Sequence, residues 1–196
     1  MDNYVYYIGK SIYINLTNRC SNGCDFCIRN HKDGMNGYGL WFDKEPTGEE
    51  IIGLLPGNLE EYKEAVFCGF GEPTYNLSAI GIVADYLHKK GMKTRINTNG
   101  QANLINGKNV VKEVVAACDE INVSLNECDA EKYDEHCKSV FGKDAFAELL
   151  KFAKEASEAG SKVNFSIVDT IGEKDIERCK KLSEELGVPL RIRKFE

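Results

Sequence analysis

The 196-residue chain lacks several features, and each lack closes off a class of function. No apolar run approaches the roughly 18 residues that a membrane span needs. The start, Met1-Asp2-Asn3-Tyr4, has no basic stretch followed by an apolar one, as a secretory leader would. A soluble, cytoplasmic protein with no membrane partner is the expectation. Basic residues are not in excess: 25 Lys and Arg against 31 Asp and Glu give a formal charge of −6, so nucleic acid is not indicated as a partner. Nor is the chain short enough to need covalent staples, and its eight cysteines are therefore expected to be reduced rather than a disulfide framework. One domain over residues 1–196 is the default at this length.

What is present is concentrated in one stretch, Asn15 to Cys27. Cys20, Cys24 and Cys27 form Cys-x3-Cys-x2-Cys directly after a strand-like run. Thiolates are preferred ligands of iron–sulfur clusters, and a cubane takes four of them. With three supplied nearby, the fourth iron is left for something other than protein, and an open position separates reactive metal centres from structural ones. His31, four residues past Cys27, leaves a second reading in which Cys20, Cys24, Cys27 and His31 hold a structural zinc ion.

Residues 4–8 and 11–16 are rich in aromatic and β-branched side chains, with Gly9-Lys10 between them; this predicts a hairpin leading into the first core strand. The cluster loop, 17–46, follows. Its Gly34, Gly37 and Gly39 signal turns, while Tyr38, Trp41 and Phe42 signal either packing or a flap over a site. Thr47-Gly48-Glu49-Glu50 has the form of a capping box, so a helix starts at about Thr47. Three times an apparent helix ends in glycine and a strand begins shortly after, at Gly91, Gly160 and Gly187. The predicted strands are 11–16, 65–68, 94–98, 120–125, 162–168 and 189–193. Helices are expected near 47–55, 77–90, 110–117, 130–137, 143–159 and 175–186. This βα alternation implies a parallel sheet with right-handed crossovers, either an open α/β sheet or a partial barrel.

In such folds functional groups collect at the carboxyl ends of the strands. Those positions hold Cys20, Cys24 and Cys27; then Gly69-Phe70-Gly71-Glu72-Pro73-Thr74; then Asn97-Thr98-Asn99-Gly100; then Ser124-Leu125-Asn126-Glu127; and Ile167-Val168-Asp169. Glycines let backbone oxygens approach an ammonium and a carboxylate complements its charge, although Gly-x-Gly-Glu-Pro is equally the chemistry of a turn. Asparagine and serine both donate and accept, and they also terminate strands.

The cysteine spacing, with Phe26 before the last thiol, resembles the signature of the radical S-adenosylmethionine (radical SAM) superfamily. The resemblance implies a partial (β/α)6 parallel barrel with a short N-terminal hairpin. It also implies a [4Fe-4S] cluster on Cys20, Cys24 and Cys27 that binds S-adenosylmethionine and cleaves it reductively to a 5′-deoxyadenosyl radical, which abstracts hydrogen from an unknown substrate. Gly69, Gly71 and Glu72 are similar to the superfamily's glycine-glycine-glutamate motif, which meets the methionyl amino group. Asn97, Asn99, Ser124 and Asn126 match by place the residues that contact ribose and carboxylate. Ile167 or Val168 would lie against the adenine, with Phe26 approaching the same base. A one-electron reductant such as a flavodoxin or ferredoxin is implied as partner.

Over nearly its full length the chain looks like the small radical SAM proteins associated with TatD-type hydrolases, which implies a functional link to such a hydrolase. The competing reading is a non-catalytic iron–sulfur or zinc module with a redox or binding role. Of the other cysteines, Cys118 and Cys179 fall at helical spacing among apolar residues and read as core, and Cys68 sits in a buried strand. Cys128 and Cys137, with His136, are candidates for an auxiliary cluster or, for Cys128, substrate contact; no second Cys-x2-Cys supports the former. Arg95, Arg191, Arg193 and Lys194 read as a solvated face or as charge offered to a substrate or to the SAM carboxylate.

Overall fold

The computed structural model describes residues 3–195. Strands β1 (Val5–Ile8) and β2 (Ser11–Ile14) form the expected antiparallel hairpin. The cluster loop contains only a small antiparallel pair, β3 (Gly34–Met35) and β4 (Tyr38–Gly39). Its Asn36-Gly37 turn has φ of 49° and 82° at the two central residues, as a tight hairpin turn requires. Helix α1 (Gly48–Leu54) opens with the predicted capping box: the Glu50 amide donates to Thr47 Oγ1 (3.2 Å) and the Thr47 amide to Glu50 Oε2 (2.7 Å).

The chain then alternates: β5 (Glu64–Phe67), α2 (Leu77–Lys89), β6 (Thr94–Thr98), α3 (Ala102–Asn106), α4 (Val111–Ala117), β7 (Glu120–Ser124), α5 (Ala130–Cys137), α6 (Asp144–Glu158), β8 (Lys162–Val168), α7 (Glu173–Leu186) and β9 (Leu190–Arg193). Gly187, at φ 64°, closes α7 in the left-handed conformation that a β-carbon would disfavour.

All six predicted parallel strands are present. The sheet order is β1-β2-β5-β6-β7-β8-β9, parallel from β2 onward, and it stays open with β1 and β9 at its margins. The predicted strands run one or two residues too long at 15–16, 68, 125 and 189, where the chain already turns into loops. Helix α3 was not predicted; its five residues are too few for an apolar period to register.

The two faces of the sheet differ sharply. Ile14, Phe67, Ile96, Ile121, Phe165 and Ile167 point to one side, where they share a single apolar core with the buried stripes of the helices. Residues of opposite parity point to the other side and are mostly polar, among them Arg95, Asn97, Asn122, Ser124, Asn164 and Ser166. On this second face the cluster loop covers only the β1–β2 margin, through a small cluster of Tyr6, Leu40 and Phe70 with Tyr13, Met35 and Tyr38 packed round it. Tyr38 therefore packs and Phe42 meets Tyr4 edge-on, whereas Trp41 stays 45% exposed beside Phe70.

The polar face is concave. Strands β5 and β9 are four spacings apart, ~19 Å in a flat sheet. A sheet this wide twists, so its two margins do not stay in one plane. An open, curled, mostly parallel sheet with helices on its convex side is the α/β architecture the βα alternation implied.

Candidate functional site

The loops after β2 and β5 lie back to back at the carboxyl rim. A β-carbon on Gly69 would sit 1.8 Å from Asn15 Oδ1, and one on Gly71 would sit 2.2 Å from the Thr17 carbonyl and 2.5 Å from that of Arg19. The Glu72 amide donates to the Arg19 carbonyl (2.8 Å). Both glycines are thus required by close packing of the two loops, whatever else their backbone meets.

Glu72 is almost fully buried, and its carboxylate is engaged. Oε1 accepts from the Thr74 amide (3.2 Å), Thr74 Oγ1 (2.8 Å) and Thr98 Oγ1 (2.7 Å), and Oε2 from the Asn99 amide (2.6 Å). Burial still pushes its pKa up against those four bonds. This carboxylate ties the β5 loop to the end of β6.

The cysteine loop is pinned from the far side by the end of α5. The amides of Gly23 and Asp25 donate to the carbonyls of Cys137 (2.9 Å) and His136 (3.1 Å), and Lys138 pairs with Asp25. Beneath it lies a buried polar knot: Asn22 Nδ2 and Gln101 Nε2 both donate to Tyr133 Oη (3.0 and 2.9 Å), Gln101 Nε2 donates to Asn22 Oδ1 (2.8 Å), and Asn99 Nδ2 donates to Ser21 Oγ (2.8 Å). Sequence reasoning missed Ser21, Asn22, Gln101 and Tyr133. The only signal was the position of Ser21 and Asn22 between two of the cysteines.

All three loop cysteines are free and half-buried. Burial and the Glu72 charge push the Cys20 thiol up to about 12, and burial pushes Cys27 up. Cys24 is held below its ordinary value, chiefly by a hydrogen bond from Cys137. A Cys24 charge raises both neighbours, and the Arg29 guanidinium lowers all three, so the thiols share one electrostatic neighbourhood. Arg29 is fixed by the carbonyls of Asn22 (3.1 Å) and Phe70 (3.4 Å).

Among the described residues no three His, Cys, Asp or Glu side chains gather to hold a single metal ion. Cys20, Cys24, Cys27 and His31 are thus not arranged round one zinc ion, and the His31 ring stands edge-on to Phe195, 6.2 Å away. A four-iron cube takes its thiolates from separate corners, so a set spread round a loop suits it.

The other predicted residues divide by what remains free. Asn97 Oδ1 accepts from Arg95 Nη1 (2.7 Å) and Asn122 Nδ2 (3.3 Å), and burial pushes the neighbouring Cys68 thiol up while the Asn97 amide partly offsets it. Asn99 is spent on Ser21 and the Gln101 amide. Ser124 lies half-buried on the concave face and makes no side-chain hydrogen bond to a described residue. Asn126 is buried at a φ of 58°, and its Oδ1 has no partner.

Ile167 corrects an expectation: it is fully buried in the helix-facing core, because odd positions of β8 point that way. Val168 alone of the pair lies on the concave face. Phe26 is partly buried against the main core. Arg95, read as part of a solvated face or as charge offered to a ligand, is mostly buried and forked onto Glu64 (3.0 and 3.1 Å). Cys118 and Cys179 are core as expected; Cys128 points to Asp175 on α7 (Sγ to Oδ1 3.4 Å). A recess of about 360 Å³ lined by Glu45, Thr47, Asn76 and Ile82 lies among the helices, and no cysteine lines it.

The model of the Radical SAM superfamily matches residues 14–183. A probable GTP 3′,8-cyclase of Methanocaldococcus jannaschii is 28% identical over 187 residues, 95% of this chain and 59% of that protein. Streptococcus suis SuiB, solved bound to S-adenosylmethionine, superposes with a TM-score of 0.73 at 17% identity over 96% of this chain and 41% of its own. A radical SAM methyltransferase from Sphaerobacter thermophilus gives 0.62 at 14% identity over 97% and 68%. These two share the fold, and the chain spans only about 59% of the curated relative's length. No helix among the described residues is long and apolar enough to cross a membrane. With a family model covering the cysteine loop and strands β5 to β8, the chain belongs to the radical SAM superfamily.

Proposed function

We propose that this chain is a radical SAM enzyme whose [4Fe-4S] cluster is held by Cys20, Cys24 and Cys27. The observation that carries the reading is the set of three free, half-buried thiols sharing one electrostatic neighbourhood on the loop after the first parallel strand. When bound, the cluster with S-adenosylmethionine supplies reductive cleavage to a 5′-deoxyadenosyl radical that takes hydrogen from a substrate.

The chain's own residues hold and shape that site. Arg29 balances thiolate charge, and the Tyr133 knot keeps the loop from moving as charge changes. Asn126 Oδ1 and Ser124 offer the unspent polar atoms for the nucleotide, with Val168 and Phe26 as its apolar contacts. Gly69, Gly71 and Glu72 would meet the methionyl amino group, and Asn97 and Asn99 the ribose and carboxylate, while their mutual contacts brace the rim.

At finer grain we read residues 1–196 as one radical SAM core domain of the TatD-associated kind. Its motifs from Leu16-Thr17-Asn18-Arg19-Cys20 to Asn97-Thr98-Asn99-Gly100 support this, with a link to a TatD-type hydrolase. A flavodoxin or ferredoxin as reductant and a cytoplasmic setting follow from the same cluster chemistry, since thiolate ligands need a reducing compartment.

Anaerobic reconstitution tests the reading. A cubane absorption spectrum that shifts on S-adenosylmethionine, and 5′-deoxyadenosine formed with dithionite, are the expected results. Cys24→Ala should lose the cluster while Cys118→Ala and Cys179→Ala keep it. Stoichiometric zinc and no response to S-adenosylmethionine would favour the non-catalytic module.

A further inference from the structure

The concave face is layered along the strands. Nearest the amino ends, Arg95 is locked to Glu64, and Lys162 to Glu120 (2.8 Å). The next row, Asn97, Asn122 and Asn164, is joined head to tail: Asn164 Nδ2 donates to Asn122 Oδ1 (3.2 Å) and Asn122 Nδ2 to Asn97 Oδ1 (3.3 Å). Polar groups satisfied by one another make a floor, because they gain little from a ligand.

The third row is different. Ser124, Ser166 and Arg191 are direct neighbours across β7, β8 and β9, and among the described residues none of their side chains has a hydrogen-bond or ion-pair partner. Ser166 is only 8% exposed. Its hydroxyl is not sealed from solvent, and its donor and acceptor capacity is open to a ligand. One row further out stand Val168 and Arg193, also in register. Arg193 adds charge: it acts on Cys68 from the opposite margin. Two arginines therefore face into a concavity on a chain of net charge −6.

We propose that Ser166 and Arg191 form an anion subsite for the substrate, which is a polar small molecule bearing a carboxylate or phosphate. A guanidinium beside a hydroxyl donor matches an oxyanion. The subsite shares a row with Ser124, one of the proposed nucleotide contacts, so an anchored substrate would have its neighbouring carbons beside the nucleotide. This deepens the radical-enzyme reading and depends on it for the word substrate. The binding test uses neither cluster nor S-adenosylmethionine, so its failure leaves that reading standing.

Calorimetry of the cluster-free chain with pyrophosphate and with succinate, at matched ionic strength, decides it. At least one of the two binds, and which one tells phosphate from carboxylate. Arg191→Gln weakens that binding about tenfold or more and Ser166→Ala about threefold. Arg191→Lys restores part of the loss, and Lys151→Gln on the outer helix layer, an equal change of charge, leaves affinity unaltered. Binding of neither anion overturns the proposal, as does an Arg191→Gln variant that binds like Lys151→Gln. Displacement of the bound anion by free methionine would also overturn it, since the pair would then serve the cofactor's own carboxylate.

Discussion

The same seven strands present two surfaces that follow different rules. The helix-covered side is continuous hydrocarbon, with Phe165, Ile121 and Phe152 excluded from water. The concave side carries amides, hydroxyls and paired charges at alternate positions of the same strands. Burial of apolar area stabilises the first side by ~25 cal/mol per Å², whereas hydrogen bonds on the second exchange for water at little net gain. Stability and chemistry are thereby separated by one residue of strand parity.

Adjacent residues on β8 test the separation most strongly. Phe165→Ala should destabilise by about 3–5 kcal/mol in denaturant unfolding, while Asn164→Ala should cost about 1 kcal/mol. Comparable losses would break the contrast. The rim where the surfaces meet comes next: Gly71→Ala forces a β-carbon against the Thr17 carbonyl and should cost about 1–3 kcal/mol and weaken cluster uptake.

Tyr133→Phe leaves Asn22 and Gln101 with donors lacking an acceptor; about 1–2 kcal/mol should be lost, with faster amide exchange confined to the cysteine loop. The smallest effect is a pH dependence. The Arg95 guanidinium holds the Glu64 carboxyl below its ordinary value of about 4.3. Its stabilisation is present above that value and is lost as pH falls through the folded one. Glu64→Gln should lower stability near neutrality and flatten the acid limb. An unchanged acid limb would show that the pair contributes nothing on this surface.

The six parallel strands were legible because β and α periods alternate and each helix end has its own punctuation. The capping box at Thr47 was legible for the same local reason. What could not be read depends on distance. Glu72 was read only as part of a turn or a ligand contact, yet two of its donors arrive from Thr98 and Asn99 at the end of β6. Tyr133 and Cys137 lie over a hundred positions from the loop they secure. Ile167 and Val168 were interchangeable until register fixed which one faces the concavity. The free capacity of Ser166 is likewise invisible without its neighbours.

The last strand, β9, ends the sheet at an edge that pairs with no further strand among the described residues, the usual template for accretion of foreign strands. Arg191 and Arg193 punctuate that margin with positive charge at every second residue. Removing both would therefore do more than empty a pocket: it would turn an edge guarded by charge into one prone to self-association, with Ile192 left exposed at its centre.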